Sequence, residues 1–337
     1  PLSFPYLSTL TSSGIIYTQE RIMTKNKSYG IYIHIPFCEK KCLYCDFYSI
    51  DDYSIFLFEN LYSSIKKEYQ FYKDLFPNKK LDTLYLGGGT PSLIPIHVLK
   101  KIVTLFPIDI EEKTIEVNPE SLNEEKAKFY KTIGFNRISI GIQSFDNNIL
   151  KKLGRLANSK KNFKSIEIAY KYFNNISLDF IYGIPGQNLK KEINSYLEIS
   201  PSHLSCYNLT VSRNTPLYTQ QKQWILPDDV LNQQFDLIHH QLTKKNYEHY
   251  EISNYSKNSL NSKHNTHYWN LDFYIGLGPG ASGYIFDKQK LIRYKNNPWP
   301  LYNQQILKNK KPYEYSEILN KKDILLEKFL CGLRMKK

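Results

Sequence analysis

Between residues 31 and 209 the chain alternates, six times over, a short β-type run with a helical pattern or a tight turn. The runs are Ile31–Phe37, Leu81–Leu86, Thr114–Val117, Arg137–Ile142, Ile176–Tyr182 and His203–Leu209. Such an order fits parallel strands joined by helical crossovers, an architecture that gathers functional groups at the carboxyl ends of its strands. The stretches between the runs agree. Residues 52–74 carry Tyr53, Phe56, Phe58, Leu61, Ile65, Tyr69 and Tyr72 on a helical repeat, and 95–106, 123–132, 146–152, 160–173 and 188–198 also read as helices. Beyond Ser212 the order changes to a helix over Asp228–Lys244 and a short strand over Tyr250–Tyr255. A polar loop containing His264, a glycine-rich turn and a terminal helical segment follow.

The strongest chemical signal follows the first strand. Cys38, Cys42 and Cys45 stand in a Cys-x3-Cys-x2-Cys spacing, and the chain has five cysteines in all. An odd count with three in one loop suits metal binding better than a disulfide framework, and it points to a reducing, cytoplasmic setting. Three thiolates can hold three irons of a four-iron four-sulfur (4Fe–4S) cluster and leave the fourth iron open to a ligand. The alternative is structural zinc, with His34, Cys206 or Cys331 as a fourth ligand. Lysine and arginine total 45 against 32 acidic residues, a net charge of +13. The basic residues are spread evenly, with no run of five, so nucleic acid is not an expected partner. No stretch approaches the ~20 apolar residues of a membrane span.

The segment Tyr32–Cys38, continued by Cys42-Leu43-Tyr44-Cys45-Asp46-Phe47, resembles the radical S-adenosylmethionine (SAM) proteins. Within them it resembles the branch that contains oxygen-independent coproporphyrinogen oxidases and the HemW haem chaperones, and the likeness runs over about residues 30–334. It implies an α/β fold, a radical SAM partial (β/α)6 barrel with a small C-terminal α+β region. By position it implies a 4Fe–4S cluster on Cys38, Cys42 and Cys45, and a SAM site made by Tyr32, Tyr44, Gly88, Gly89, Thr90, Glu116, Gln143, Arg155 and Asp179. The chemistry supports these roles. Glycines at a strand end let backbone approach a ligand, a carboxylate at a buried strand end needs a partner such as a ligand hydroxyl or ammonium, and an arginine can face a carboxylate. The family's chemistry is one-electron cleavage of SAM beside the cluster, which makes a 5′-deoxyadenosyl radical.

Two features separate the subfamilies. The coproporphyrinogen oxidases resemble Cys-x3-Cys-x2-Cys-x-Cys, and here Phe47 occupies the last position, as in the haem chaperones. His264-Asn265-Thr266-His267-Tyr268-Trp269 matches the haem chaperones' HNxxYW signature, in which the histidine is linked to haem binding. Imidazole is a good axial ligand, and Tyr268 and Trp269 offer flat apolar surface to a porphyrin. His267 and Cys206 are further candidates, and Ile275–Ala281 is expected to shape the pocket floor. The resemblance thus implies haem as cargo and a haem-accepting protein, such as a respiratory enzyme at the membrane, together with an electron donor for the cluster. The alternative is oxidative decarboxylation of coproporphyrinogen III. Residues 1–28 read as a disordered or misannotated extension, 29–255 as the radical SAM core, and 256–337 as a C-terminal region shorter than the family's.

Overall fold

The computed structural model describes residues 27–335, so the extension expected over 1–28 lies almost wholly outside the described residues. Twelve strands follow in chain order: β1 (Ser28–Ile35), β2 (Lys80–Gly88), β3 (Glu112–Val117), β4 (Arg137–Gln143), β5 (Asn175–Tyr182), β6 (His203–Asn208), β7 (Glu248–Glu251), β8 (Asn254–Ser256), β9 (Tyr274–Leu277), β10 (Ser282–Asp287), β11 (Lys290–Asn296) and β12 (Tyr313–Ile318). Between them lie α1 (Phe56–Gln70), α2 (Ile96–Val103), α3 (Glu124–Thr132), α4 (Asn147–Lys152), α5 (Ser159–Tyr172), α6 (Leu189–Ile199), α7 (Asp228–Lys244), α8 (Lys263–Asn270), α9 (Leu301–Leu307) and α10 (Lys321–Gly332). They form one open sheet in the order β12-β11-β10-β9-β1-β2-β3-β4-β5-β6-β8-β7, parallel from β1 to β6. This is the α/β partial barrel expected of six strand-helix units. Among the described residues no helix is long and apolar enough to cross a membrane.

The crossovers are started by local chemistry. Asn123, Asp146, Asn158 and Asn188 each stand one residue before a helix and accept a backbone N–H of its first turn, giving α3, α4, α5 and α6 a defined start. Along the parallel strands the side chains alternate between faces. Ile33, Leu84, Ile115, Ile138 and Ile176 join one continuous core with Leu61 of α1, Leu99 of α2, Ile166 of α5 and Ile193 of α6. The other face is polar and cross-linked. Tyr85 donates to Glu116 at 2.7 Å, Ser139 to Asp179 at 3.2 Å, and Ser177 lies 2.8 Å from His203 Nδ1, whose Nε2 is 2.8 Å from the Tyr250 hydroxyl. The barrel interior is therefore a polar chamber walled by an apolar shell.

Three expectations for the C-terminal stretch need correction. The single strand over Tyr250–Tyr255 is a hairpin, β7 and β8, that turns at Ile252 and Ser253. The polar loop containing His264 is the helix α8. Its apolar pattern is too sparse to show, but Ser262 accepts the Asn265 N–H, and the Glu112 carboxylate accepts the N–H groups of Lys263 and His264 at 3.0 Å each. A carboxylate at a helix N-terminus satisfies orphan donors and the dipole together. Strand β9 runs into the glycine-rich turn and three more strands follow it; β9 pairs in parallel with β1, placing Gly276 opposite Tyr32. The sheet thus continues past the first barrel strand. The turn itself is anchored by buried Glu68 of α1, which accepts from Gly278 N–H at 2.8 Å, Asn296 Nδ2 at 2.6 Å and the Tyr302 hydroxyl at 2.6 Å.

Candidate functional site

The cysteine loop leaves β1 and is pinned at its neck, where Cys38 N–H donates to Ile50 O at 2.9 Å and Ile50 N–H to Pro36 O at 2.6 Å. Next to it β2 ends in glycines. Gly89 N–H donates to Ile35 O at 2.7 Å, and a Cβ at Gly89 would stand 2.7 Å from Phe37 O and 3.0 Å from Cys38 Sγ. Only a residue without a side chain lets these two strand ends meet.

A cavity of about 440 Å³ opens here. Cys38, Cys42 and Cys45 line it, and so do eight of the nine residues expected to hold SAM: Tyr44, Gly88, Gly89, Thr90, Glu116, Gln143, Arg155 and Asp179. The ninth, Tyr32, lines a neighbouring cavity instead. Gln143 has φ 65°, a left-handed conformation unusual outside glycine, at the point where β4 hands its last side chain to the cavity.

The cavity's charges are set by burial. Glu116 accepts from the Tyr85 hydroxyl at 2.7 Å and from Gly88 N–H at 3.2 Å. Desolvation nevertheless raises its pKa to about 7, with the charge of Asp179 adding to the rise. Burial likewise raises Asp179 to about 6, against the opposing pull of Arg137 and the Ser139 hydrogen bond. Arg155 Nη2 donates to Gly141 O at 2.7 Å and Asn118 Oδ1 at 3.1 Å, and its Nη1 lies 3.5 Å from Cys42 Sγ. Asn118 Nδ2 donates to Thr90 Oγ1 at 3.0 Å, whose hydroxyl in turn points at Cys38 Sγ, 3.8 Å away. Tyr85 and Asn118 were not expected as site residues. Strand alternation carries the signal for Tyr85, which shares a face with Gly87 on β2.

The donors fit an iron-sulfur cluster with an organic co-ligand. None of the three thiols is in a disulfide, and Arg155 keeps Nε buried without a protein acceptor beside them. Of the zinc alternatives, His34 has both ring nitrogens engaged, by the Tyr32 hydroxyl at 3.0 Å and Tyr48 O at 2.8 Å. Burial lowers its pKa to about 4 and keeps it neutral.

The neighbouring cavity, about 600 Å³, has a different character. Tyr32 and His34 of β1, Tyr48 of the cysteine loop, Tyr268 and Trp269 of α8 and Tyr274 of β9 wall it, with Lys41 and Lys295 at its edge. Asp46 and Phe47 line both cavities, so the stretch just after Cys45 is the partition between them. Phe47 is 68% exposed.

His264 lines neither cavity. It is 1% exposed, inside the barrel, with its ring 5.1 Å from that of Tyr85 and 6.3 Å from that of Tyr32. Its Nδ1 lies 2.8 Å from Thr83 Oγ1 and its Nε2 2.7 Å from the Tyr268 hydroxyl. Burial first, and then the charges of His267 and Arg137, hold it neutral. Cys206 is buried in β6. His267 is clamped between Asp82 at 2.8 Å and Asp272 at 3.2 Å. Burial alone would lower its pKa, but the hydrogen bonds to Asp272 and Asp82 carry it to about 9.

This clamp ties α8 to β2 and gives a prediction. Because the folded value exceeds the ordinary histidine value of 6.5, the stabilisation is full below pH 6.5 and is lost as pH rises through 9. It amounts to about 3 kcal/mol. Denaturant melts of wild type and His267→Gln should therefore differ most near pH 6 and converge near pH 10. A pH-independent gap would remove the imidazolium from the account.

The fold and the three-thiol cavity define the class, and comparison agrees: the radical SAM superfamily pattern matches residues 32–197. The HemW haem chaperone of Lactococcus lactis is 36% identical over 330 residues, covering 92% of this chain and 82% of that protein. The Bacillus subtilis HemW haem chaperone is 33% identical over 323 residues, covering 90% and 82%. The chain belongs to the HemW family of radical SAM proteins. Among solved structures, the radical SAM enzyme coproporphyrinogen III oxidase HemN of Escherichia coli superposes with a TM-score of 0.77 over 97% of this chain and 79% of its own. At 19% identity this likeness shows the fold alone. Membership of the superfamily implies a 4Fe–4S cluster and SAM.

Proposed function

We propose that this protein is a haem chaperone that carries a 4Fe–4S cluster and SAM in one cavity, holds haem in the adjoining one, and passes the haem to an acceptor protein. The observation that carries the reading is the shared partition. A cavity ringed by thiols and SAM-type polar groups neighbours an aromatic-walled cavity of about 600 Å³, and Asp46 and Phe47 line both. The relatives named haem chaperones support the same direction.

When bound, the cluster supplies a one-electron donor and an open iron position. The chain's own residues then divide the work. Cys38, Cys42 and Cys45 hold the cluster, Arg155 and Thr90 direct hydrogen bonds toward its thiolates, and Glu116, Asp179 and Gln143 orient SAM. Oxidative decarboxylation of coproporphyrinogen is the weaker reading, since the exposed Phe47 ring cannot replace the thiol found there in that branch. The haem acceptor is a respiratory enzyme at the membrane, and a separate electron donor serves the cluster. The setting is the cytoplasm, where free thiols persist.

The test is an anaerobic haem titration of the cluster-reconstituted protein, followed in the Soret band. Saturation at about one haem per chain is expected for a single cavity. The absence of a saturable site would overturn the chaperone reading.

A further inference from the structure

We propose that Tyr268, and not His264, is the side chain that meets haem iron, and that His264 is a positioning residue acting behind it. The proposal rests on the haem-chaperone reading and names the contact it leaves open.

The two residues stand one helical turn apart on α8, so both project from one face of the helix. Only Tyr268 reaches the aromatic cavity. His264 is spent inside the barrel: Thr83 occupies its Nδ1, Tyr268 occupies its Nε2, and the Tyr85 and Tyr32 rings flank it. Reaching haem would require it to break both hydrogen bonds, leave the stack and expose a gap in the packed chamber. A Cβ at Gly30 would already stand 3.0 Å from its ring, which shows how closely β1 confines it.

Tyr268 is placed for the opposite task. Its ring packs edge-on against Tyr274 with centroids 4.5 Å apart, which fixes the plane of the phenol at the cavity wall. Phenolate is a known protein ligand of ferric haem, and a hydrogen-bonded partner behind a ligand fixes its orientation and tunes its basicity. The other walls suit the rest of the molecule. Tyr32, Tyr48 and Trp269 offer flat faces, and Lys41 and Lys295 offer cations for two propionates, Lys295 being bridged to Glu314 at 2.7 Å. The ligand class is thus a flat, dianionic ferric tetrapyrrole.

On binding, the Tyr268 oxygen forms a bond to ferric iron and its O–H bond breaks. The proton leaves to solvent, and nothing is oxidised or reduced. His264 answers by exchanging tautomers. It accepts from the phenol in the free protein and donates Nε2–H to the phenolate in the complex, while Thr83 reverses its own hydrogen bond.

The experiment uses the cluster-loaded protein under anaerobic conditions, with ferric protoporphyrin IX and metal-free protoporphyrin IX as probes. Wild type should give a high-spin ferric signal with a phenolate-to-iron charge-transfer band. In Tyr268→Phe that band should vanish and ferric haem affinity should fall by about tenfold or more, while affinity for the metal-free porphyrin stays unchanged. His264→Gln should keep the band, shifted in energy. Cluster content and SAM affinity report whether each variant is folded. A ferric spectrum that survives Tyr268→Phe, or one of histidine ligation that His264→Gln abolishes, overturns this proposal and leaves the chaperone reading intact. Wild type without a saturable haem site overturns both.

Discussion

Cys42→Ala should reconstitute with almost no iron or sulfide, against about four of each for the wild-type cluster, and its broad visible absorption should disappear. Cys42 sits at the centre of the motif and receives Arg155 Nη1 at 3.5 Å, so its loss removes a ligand and also leaves a buried guanidinium donor unpaired. The thiol lies on a loop outside the core, and the neck bonds between Pro36, Cys38 and Ile50 do not involve its side chain. The variant should therefore still fold, melting about 1–3 kcal/mol below cluster-free wild type because of that unpaired donor. Cys206→Ala and Cys331→Ala are the controls. One is buried in β6 and the other stands on α10, so both should keep full iron and sulfide content. Unchanged iron in Cys42→Ala would end the three-thiolate assignment. Loss of metal in either control would reopen a four-ligand zinc site.

The strand-helix alternation to Leu209 was legible because each crossover must bury a helical stripe against an apolar strand face, and both leave a periodic trace. The candidate site residues were named by position from the family resemblance, and Cys38, Gly88 and Glu116 also stand out because they interrupt apolar runs at strand ends. What escaped is the polar face of the same strands. Thr83 and Tyr85, Arg137 and Ser139, and Ser177 and Asp179 recur every second residue, a period-two signal for an interior chamber that the runs were too apolar overall to reveal. The C-terminal stretch failed for another reason. Helix α8 is held by a carboxylate from β3, over 150 residues away, and by the His267 clamp to β2, so no local window contains its cause. The same distance hid the fate of His264. Its neighbours in sequence suggest an open loop, whereas Thr83 and Tyr85 make it part of the barrel interior.

Glu116→Gln should weaken SAM binding by roughly 10- to 150-fold, equivalent to the ~1.5–3 kcal/mol of a hydrogen bond to a charged acceptor, while cluster content stays whole. Glu116 lines the cavity with an oxygen pair already positioned by Tyr85 and Gly88, and the amide keeps the shape but loses the charge. Two pH readouts separate this role from mere packing. The free carboxyl titrates near 7, so wild-type affinity should drop roughly tenfold or more between pH 7.5 and 5.5, with Asp179 adding to the drop below 6, whereas the Gln variant should show only the Asp179 part. Stability should run the other way. A carboxyl raised from 4.5 to about 7 on folding holds its proton more tightly in the native state, so native stability declines as pH rises from 4.5 to 7, by about 3 kcal/mol. Glu116→Gln lacks that decline and should melt higher than wild type above pH 7. A binding site that pays in stability for a charge kept ready is expected to gain stability when the charge is removed. A variant that binds SAM at wild-type affinity in calorimetry, or that melts lower than wild type at pH 8, would return Glu116 to an ordinary structural carboxylate.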